Sequence, residues 1–371
     1  TAIESGVAAK IIEDWEAYDH QLQKLMGLDN KMLRHFYEAA RQNPKRVVFS
    51  ESLHINMLKA AETALAEGIC QPILLGNEEK LANVAAENGI DLTGIQIVNL
   101  RHDREEERRT RYAKLLSEKR SREGMTFEEA FEKMYERNYF GMMMVETGEA
   151  DALITGVITK YEDSVKAART VIGARPGVNS IGAMHIMNTK KGTYFLADTL
   201  FNRHPSTETI IDVAKLTYDT VKFFAHEPVM ALLSYSNFGS DKEGSPASVH
   251  KVNQVLQERY PDMVVDGEMQ ANFALTKELR DRKYPFSRLK GKDVNTLIFP
   301  NLSSANMVQQ MMLELGLAET IGPIQMGLNK PVHILDVESS VRSIVNMPAV
   351  AVLDAIVQEK IEKGEVERIG E

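Results

Sequence analysis

The sequence approaches several catalytic patterns without completing one. Gly291-Lys292-Asp293 is the nearest thing to a phosphate-cradling loop, but it lacks both the glycine-rich lead-in and the hydroxyl that follows the lysine. No GxGxxG follows a strand-like run, so the dinucleotide fingerprint is absent, and no GxSxG offers a nucleophilic serine on a tight turn. Neither HExxH nor a Cys/His cluster is present to hold zinc. His185, His204 and His333 stand singly, which suits structural histidines better than a catalytic set. Paired carboxylates are common, but in a chain with 53 Asp and Glu most of them belong to the surface. The expectation is a small-molecule site in a cleft, built from convergent polar groups rather than from one motif.

The elements that would position such a site alternate. Short apolar runs suit strands buried on both faces: Arg46–Ser50, Pro72–Gly76, Ile95–Val98, Asp151–Gly156, Tyr194–Asp198, Val229–Ser234, Met263–Asp266, Val294–Phe299 and Val332–Leu335. Amphipathic stretches lie between them. His54–Glu67 places Met57, Leu58, Ala61, Ala64 and Leu65 on one face, and Ser206 opens a helix that runs to Phe224. This alternation predicts an α/β architecture with mostly parallel strands. Met142–Met144 reads as core. Arg101–Glu136 is dense in Arg and Glu and predicts two solvated helices broken at Glu123-Gly124. Ile3–Met26 reads as a helix with Trp15, Tyr18 and Leu22 on one side, either a connector to a neighbouring domain or a cap on this chain's own core.

Composition limits the partners. A chain of 371 residues is long enough for more than one compact unit. The net charge of −9 gives no bulk attraction to nucleic acid or to anionic membrane, so an anionic ligand needs a local basic pocket. A single cysteine, Cys70, excludes an intrachain disulfide, and the expectation is a cytoplasmic protein. No apolar run approaches the roughly 20 residues of a membrane span.

Six stretches in order resemble the phosphate acetyltransferase (phosphotransacetylase) family. Tyr139–Val145 followed by Gly148–Gly156 is similar to its "YFGTMMV…G.ADALVSG". Ala197-Asp198 with Asn202 and Pro205 resembles "ADCAVNPDP", and Leu233–Ser240 resembles "LSFSTKGSA". Asp266–Gln270 resembles "DGELQ", Phe299–Leu302 with Asn306 resembles "FPDLQAGN", and Gly322–Val332 resembles "GPILQGLAKPVN". The resemblance covers about residues 30 to 360. It implies a two-domain fold similar to the isocitrate and isopropylmalate dehydrogenases, with an interdomain cleft that takes coenzyme A and acetyl phosphate. Residues 29–174 plus 322–371 would form a discontinuous domain I and residues 175–321 domain II. The resemblance further implies ligand contacts from Arg111, Lys166, Ser234, Ser236, Gly239, Ser240, Asn301, Asn306, Gly322, Pro323, Gln325, Gly327 and Asp336. Arg111 sits among Arg104, Arg108 and Arg109, so a solvated helix face explains it equally well. Asp198 and Asn202 suit structure and ligand contact alike.

One loop departs from the family. Acetyl transfer needs a base for the thiol, a donor for the oxyanion and arginines for phosphate. Against the family's "PVNDLSRGCSVDDIV", the stretch Pro331–Val345 aligns without a gap. Asp336 then stands at the serine, Val337 at the arginine and Ser343 at the base aspartate, while Lys166 replaces a second arginine. An ionised Asp336 accepts hydrogen bonds but cannot donate one to an oxyanion. It also repels phosphate: two like charges about 4 Å apart at an effective dielectric of about 20 cost about 4 kcal/mol, roughly a thousandfold in occupancy. Arg342, one turn on, could return positive charge. No catalytic residue is therefore expected to function.

A family fold with such a loop resembles the second half of large bacterial NADP-dependent malic enzymes. Ile11–Tyr18 is similar to the segment that joins their halves, so residues 1–28 are expected to be a connector helix, and a start at Thr1 fits a piece cut near that junction. The resemblance implies a regulatory and oligomerisation domain that senses acetyl-CoA or CoA, is dimeric at least, and has its own malic enzyme domain as partner. No cofactor or metal is expected within these residues; NADP and a divalent metal, Mg or Mn, would belong to the other half. Two other roles are an active phosphate acetyltransferase and a ligand-free oligomerisation scaffold.

Overall fold

The computed structural model describes residues 31–337, 339 and 341–363, without the side chains of Lys31, Val341, Arg342 and Glu362. The Trp15 helix, the connector over 1–28 and the Arg342 guanidinium lie outside the described residues and side chains.

Two sheets form the frame. The first comprises β1 (Lys45–Phe49), β2 (Cys70–Leu75), β3 (Gln96–Val98), β4 (Ala152–Thr155) and β11 (Val332–Ile334), in the order β11-β4-β1-β2-β3 and parallel throughout. The second comprises β5 (Gly182–Thr189), β6 (Gly192–Ala197), β7 (Met230–Leu233), β8 (Val265–Met269), β9 (Thr296–Ile298) and β10 (Ala318–Met326), in the order β10-β5-β6-β9-β7-β8. Its β6, β9, β7 and β8 are parallel, while β5 and β10 run antiparallel to their neighbours. The α/β expectation holds.

Helices α1 (Lys31–Gln42), α2 (Ile55–Ala66), α3 (Glu78–Glu87), α4 (Glu106–Lys119), α5 (Phe127–Lys133), α6 (Arg137–Glu146) and α7 (Tyr161–Val171) accompany the first sheet. The second carries α8 (Thr207–Phe223), α9 (Gly244–Arg259), α10 (Ala271–Leu275), α11 (Lys277–Lys283) and α12 (Leu302–Glu314). The last helix, α13 (Val341–Glu362), packs on α2, β1 and β4 of the first sheet and on β10 of the second. One continuous core follows from that placement: Val47, Phe49 and Ile154 join Met347 and Val350 of α13 and Met184, Ile186 and Phe195 of the second sheet.

Local signals act where they were read. Ser206 caps α8, its side chain accepting from the Thr209 N–H. Gly124, at φ 85°, ends the turn at Ser121–Glu123 in the left-handed region that glycine tolerates. Met142, Met143 and Met144 are buried.

Three expectations need correction. The two arginine-rich helices are not simply solvated, because α4 buries Tyr112, Ala113 and Leu116, and Arg109 points inward to donate to the carbonyls of Leu100 (2.6 Å) and His102 (3.0 Å). Strands β5 and β10 were not expected. The chain also returns to the first sheet later than residue 322, since β10 stays paired with β5 through Met326.

Candidate functional site

Strands β4, β6, β9 and β11 deliver their carboxyl ends to one region, the position favoured for ligands in α/β folds. There a cleft of about 850 Å³ opens between the sheets, within the range of about 300–1,000 Å³ usual for small-molecule sites. Helix α7 supplies Tyr161, Glu162, Val165, Lys166 and Arg169, the turn before it Lys160, the loop after β6 Leu200, Phe201 and Arg203, helix α12 Leu302 and Asn306, and the loop after β11 Asp336 and Val337.

Two buried carboxylates shape these loops. Glu51, just past β1 and 2% exposed, accepts the N–H groups of Gly156 (2.9 Å), Ile158 (2.9 Å) and Thr159 (2.6 Å), and so fixes the turn that leads into α7. Asp198 does the same after β6, accepting from Ala183 N (2.9 Å), Leu200 N (3.1 Å), Phe201 N (3.2 Å) and Asn202 N (2.9 Å). The Asn202 amide donates to Asp198 and to the Ile181 carbonyl. Both residues thereby hold this loop, and both also line a small hollow with Pro205 and Asn301. Gly156, at φ 106°, lets the end of β11 approach: a Cβ there would lie 2.3 Å from the Leu335 carbonyl oxygen. Asn138 ties the same floor together, accepting from Ser50 and Thr155 and donating to Ser164.

Asp336 stands at the waist of the site. It lines the cleft and also a second cavity of about 350 Å³ that includes His185, Thr320, Gly322, Ser339 and Ser343. Its N–H donates to Ser339 Oγ (3.0 Å), and the Ser339 N–H returns to the Asp336 carbonyl (2.9 Å), closing a tight turn. Val337 is 55% exposed. Ser343 is buried, and its hydroxyl donates to the Gly322 carbonyl (2.8 Å). Beside it, His185 meets Thr199 Oγ1 through Nδ1 (2.8 Å), and burial pushes its pKa down to about 4. The imidazole is therefore neutral near pH 7.

The expected ligand residues divide. Lys166, Asn306, Asp336 and Val337 meet in the cleft, and Gly322 and Ser343 reach the adjoining cavity. Gln325 bonds to the backbone: its amide donates to the Ile334 carbonyl (2.8 Å) and accepts the Ile334 N–H (2.9 Å), joining β10 to β11. Pro323 follows Gly322 through a cis peptide inside β10, and Gly327 accepts from Arg175 N (2.8 Å). Ser234, Ser236, Gly239 and Ser240 lie beyond β7, where Ser236 meets Ser240 (2.8 Å) and the Gly239 N–H reaches the buried Glu268 carboxylate (2.5 Å). Asn301 caps α12 by accepting from Ser304 N (3.0 Å). Arg111 pairs with Glu149, just before β4, whereas the cleft lies past the other end of that strand. It belongs to the solvated face. Sequence reasoning missed Glu51, Lys160, Glu162, Arg169 and Arg203. The spacing of Glu162 and Arg169 with the expected Lys166 along one helix face was the available signal for two of them; nothing local marked Glu51 or Arg203.

Among the described residues, no group of three or more His, Cys, Asp or Glu side chains is placed to hold a metal ion, and no helix is long and apolar enough to cross a membrane.

Comparison with known proteins gives the site a context. The model of the family described as phosphate acetyl/butaryl transferase matches residues 31–352. The NADP-dependent malic enzyme of Salmonella typhimurium is 36% identical over 361 residues, covering 95% of this chain and 47% of that protein. The chain thus spans about half the length of the malic enzymes it matches. A phosphate acetyltransferase of Thermoanaerobacterium thermosaccharolyticum is 32% identical, over 87% of this chain and 99% of that protein. A phosphotransacetylase structure from Streptococcus pyogenes superposes with a TM-score of 0.78 at 30% identity, covering 87% of this chain and 99% of that one.

Proposed function

The chain belongs to the phosphate acetyl/butaryl transferase family, and from that premise we propose that it is a regulatory and assembly domain of an NADP-dependent malic enzyme, with a cleft that senses acetyl-CoA and no longer transfers its acetyl group. The observation that carries this reading is the position of Asp336 between the two cavities. A carboxylate there repels an incoming phosphate and offers no donor to a tetrahedral oxyanion. Beside it, Val337 brings no charge, and the Ser343 hydroxyl donates to the Gly322 carbonyl. Lys160, Lys166, Arg169 and Arg203 still line the larger cavity, against the carboxylates of Glu123, Glu162 and Asp336, so an anionic coenzyme keeps cationic partners there. The cofactor NADP, the divalent metal and malate belong to the other half in this reading.

Regulation requires that the ligand favour one arrangement of the two sheets, or of the assembly, over another. In the full-length enzyme acetyl-CoA should inhibit malate oxidation, and removing residues 31–371 should abolish that inhibition. Calorimetric titration of acetyl-CoA into the chain tests the binding directly; no heat up to millimolar ligand sinks the reading. The full-length match to a phosphate acetyltransferase keeps an active transferase as the second reading. Phosphate-dependent release of thiol from acetyl-CoA would establish it in place of the first.

The assembly role has a surface. Met307, Met311, Leu315 and Leu317 are 60%, 61%, 64% and 55% exposed along α12 and the turn after it. Beside them lies an apolar hollow of about 460 Å³ walled by Leu196, Leu233, Leu297 and Phe299. A ridge and a hollow on one face are self-complementary about a two-fold axis, so the partner proposed for this face is a second copy of the chain.

A further inference from the structure

The two walls of the larger cleft touch at adjacent points. Tyr161 of α7 meets Phe201 beyond β6, with ring centroids 5.6 Å apart at 68°. The next residue, Glu162, forms an ion pair with Arg203 across the same gap. The aromatic contact is half-buried, but the side chains of the ion pair are 73% and 71% exposed. A pair so open to water contributes little to stability. Its position is more informative than its strength, because both partners line the cavity alongside Lys160, Lys166 and Arg169.

We propose that Arg203 is the residue that grips a ligand phosphate in this cleft, and that Glu162 holds its guanidinium in place until a phosphate displaces it. The proposal rests on the reading of the cleft as a coenzyme-sensing site and adds the group that does the sensing. A guanidinium fork matches a phosphate with two parallel hydrogen bonds, which the lysines cannot do. A phosphate group presents more charge and more acceptor oxygens than one carboxylate, so it wins the exchange. Val165, Leu200 and Leu302 give the same cavity apolar walls for an uncharged arm. The ligand class is a phosphate- or pyrophosphate-bearing molecule with an apolar arm. The exchange also releases the Glu162–Arg203 contact across the gap and leaves the adjacent Tyr161–Phe201 ring contact in place.

The experiment is calorimetric titration of acetyl-CoA into the full chain and into Arg203→Gln, Glu162→Gln and the double variant. All four should melt at the same temperature, since both side chains are exposed. Arg203→Gln should weaken binding about tenfold, as expected for loss of a hydrogen-bonded charge. Glu162→Gln should tighten it about threefold by removing the competitor. In the double variant that gain should vanish, because Glu162 acts only through Arg203. Unchanged binding by Arg203→Gln overturns the grip while leaving the sensing site intact. A gain from Glu162→Gln that survives in the double variant reduces Glu162 to a general repulsive charge and overturns the exchange. No binding by the unaltered chain removes the sensing site and this proposal together.

Discussion

In the proposed reading Asp336 changes what the cleft accepts by its charge, and that makes it the sharpest single-residue test. Asp336→Asn keeps the shape of the turn with Ser339 and removes the like charge. Affinity for acetyl phosphate should rise by up to about a thousandfold. Phosphate-dependent thiol release should stay absent, because Val337 and Ser343 are untouched; a variant that regained turnover would show that the charge was the only lesion. His185 gives a second test. Its pKa in the fold is about 4, against an ordinary value of 6.5. The unfolded chain therefore takes up a proton between those values that the folded chain refuses, so stability rises with pH from about 4 to about 6.5 and is lost as pH falls through that window. The difference is about 3 kcal/mol at its fullest. Denaturant unfolding of His185→Asn at pH 7 and pH 4.5 should show a smaller loss than the parent chain. The altered loop was legible in the sequence because its two ends pin the register. Glu51 was not, because its role depends on three N–H groups about a hundred residues away.

At the scale of elements, β5 and β10 escaped sequence reasoning for different reasons. Strand β5 (GAMHIMNT) has a single β-branched aliphatic residue, so propensity is silent, and its burial on both faces comes from neighbours on either side. Strand β10 carries Gly322-Pro323 in its middle, which argues against a strand; the structure accommodates the pair with a register shift between Ile321 and Ile324. Helix boundaries were read more closely, because apolar periodicity is local: α2 runs Ile55–Ala66 within the expected His54–Glu67. The contact of β4's end with β11's end gives the element-scale prediction. Gly156→Ala would force a Cβ to 2.3 Å from the Leu335 oxygen at φ 106°. Strain and overlap together should cost about 3 kcal/mol. Thermal unfolding measures that cost, and acetyl-CoA affinity should fall with it because the loop bearing Asp336 is displaced.

The whole molecule is where single-sequence reading is weakest, since patches and cavities gather residues from distant positions. The ridge on α12 was invisible in sequence: Met307, Met311 and Leu315 have ordinary core spacing and stand exposed only because of how α12 docks. Met311→Lys with Leu315→Lys should shift the chain toward monomer in light scattering, without lowering the far-ultraviolet helix signal; an unchanged mass would remove this face as the self-association surface. A different whole-molecule consequence follows from Gln325. Its amide stitches β10 of one sheet to both backbone groups of Ile334 in the other. Asp336, two residues on from that stitch, is thereby moored to both sheets at once, as a button is held where two fabrics are sewn together.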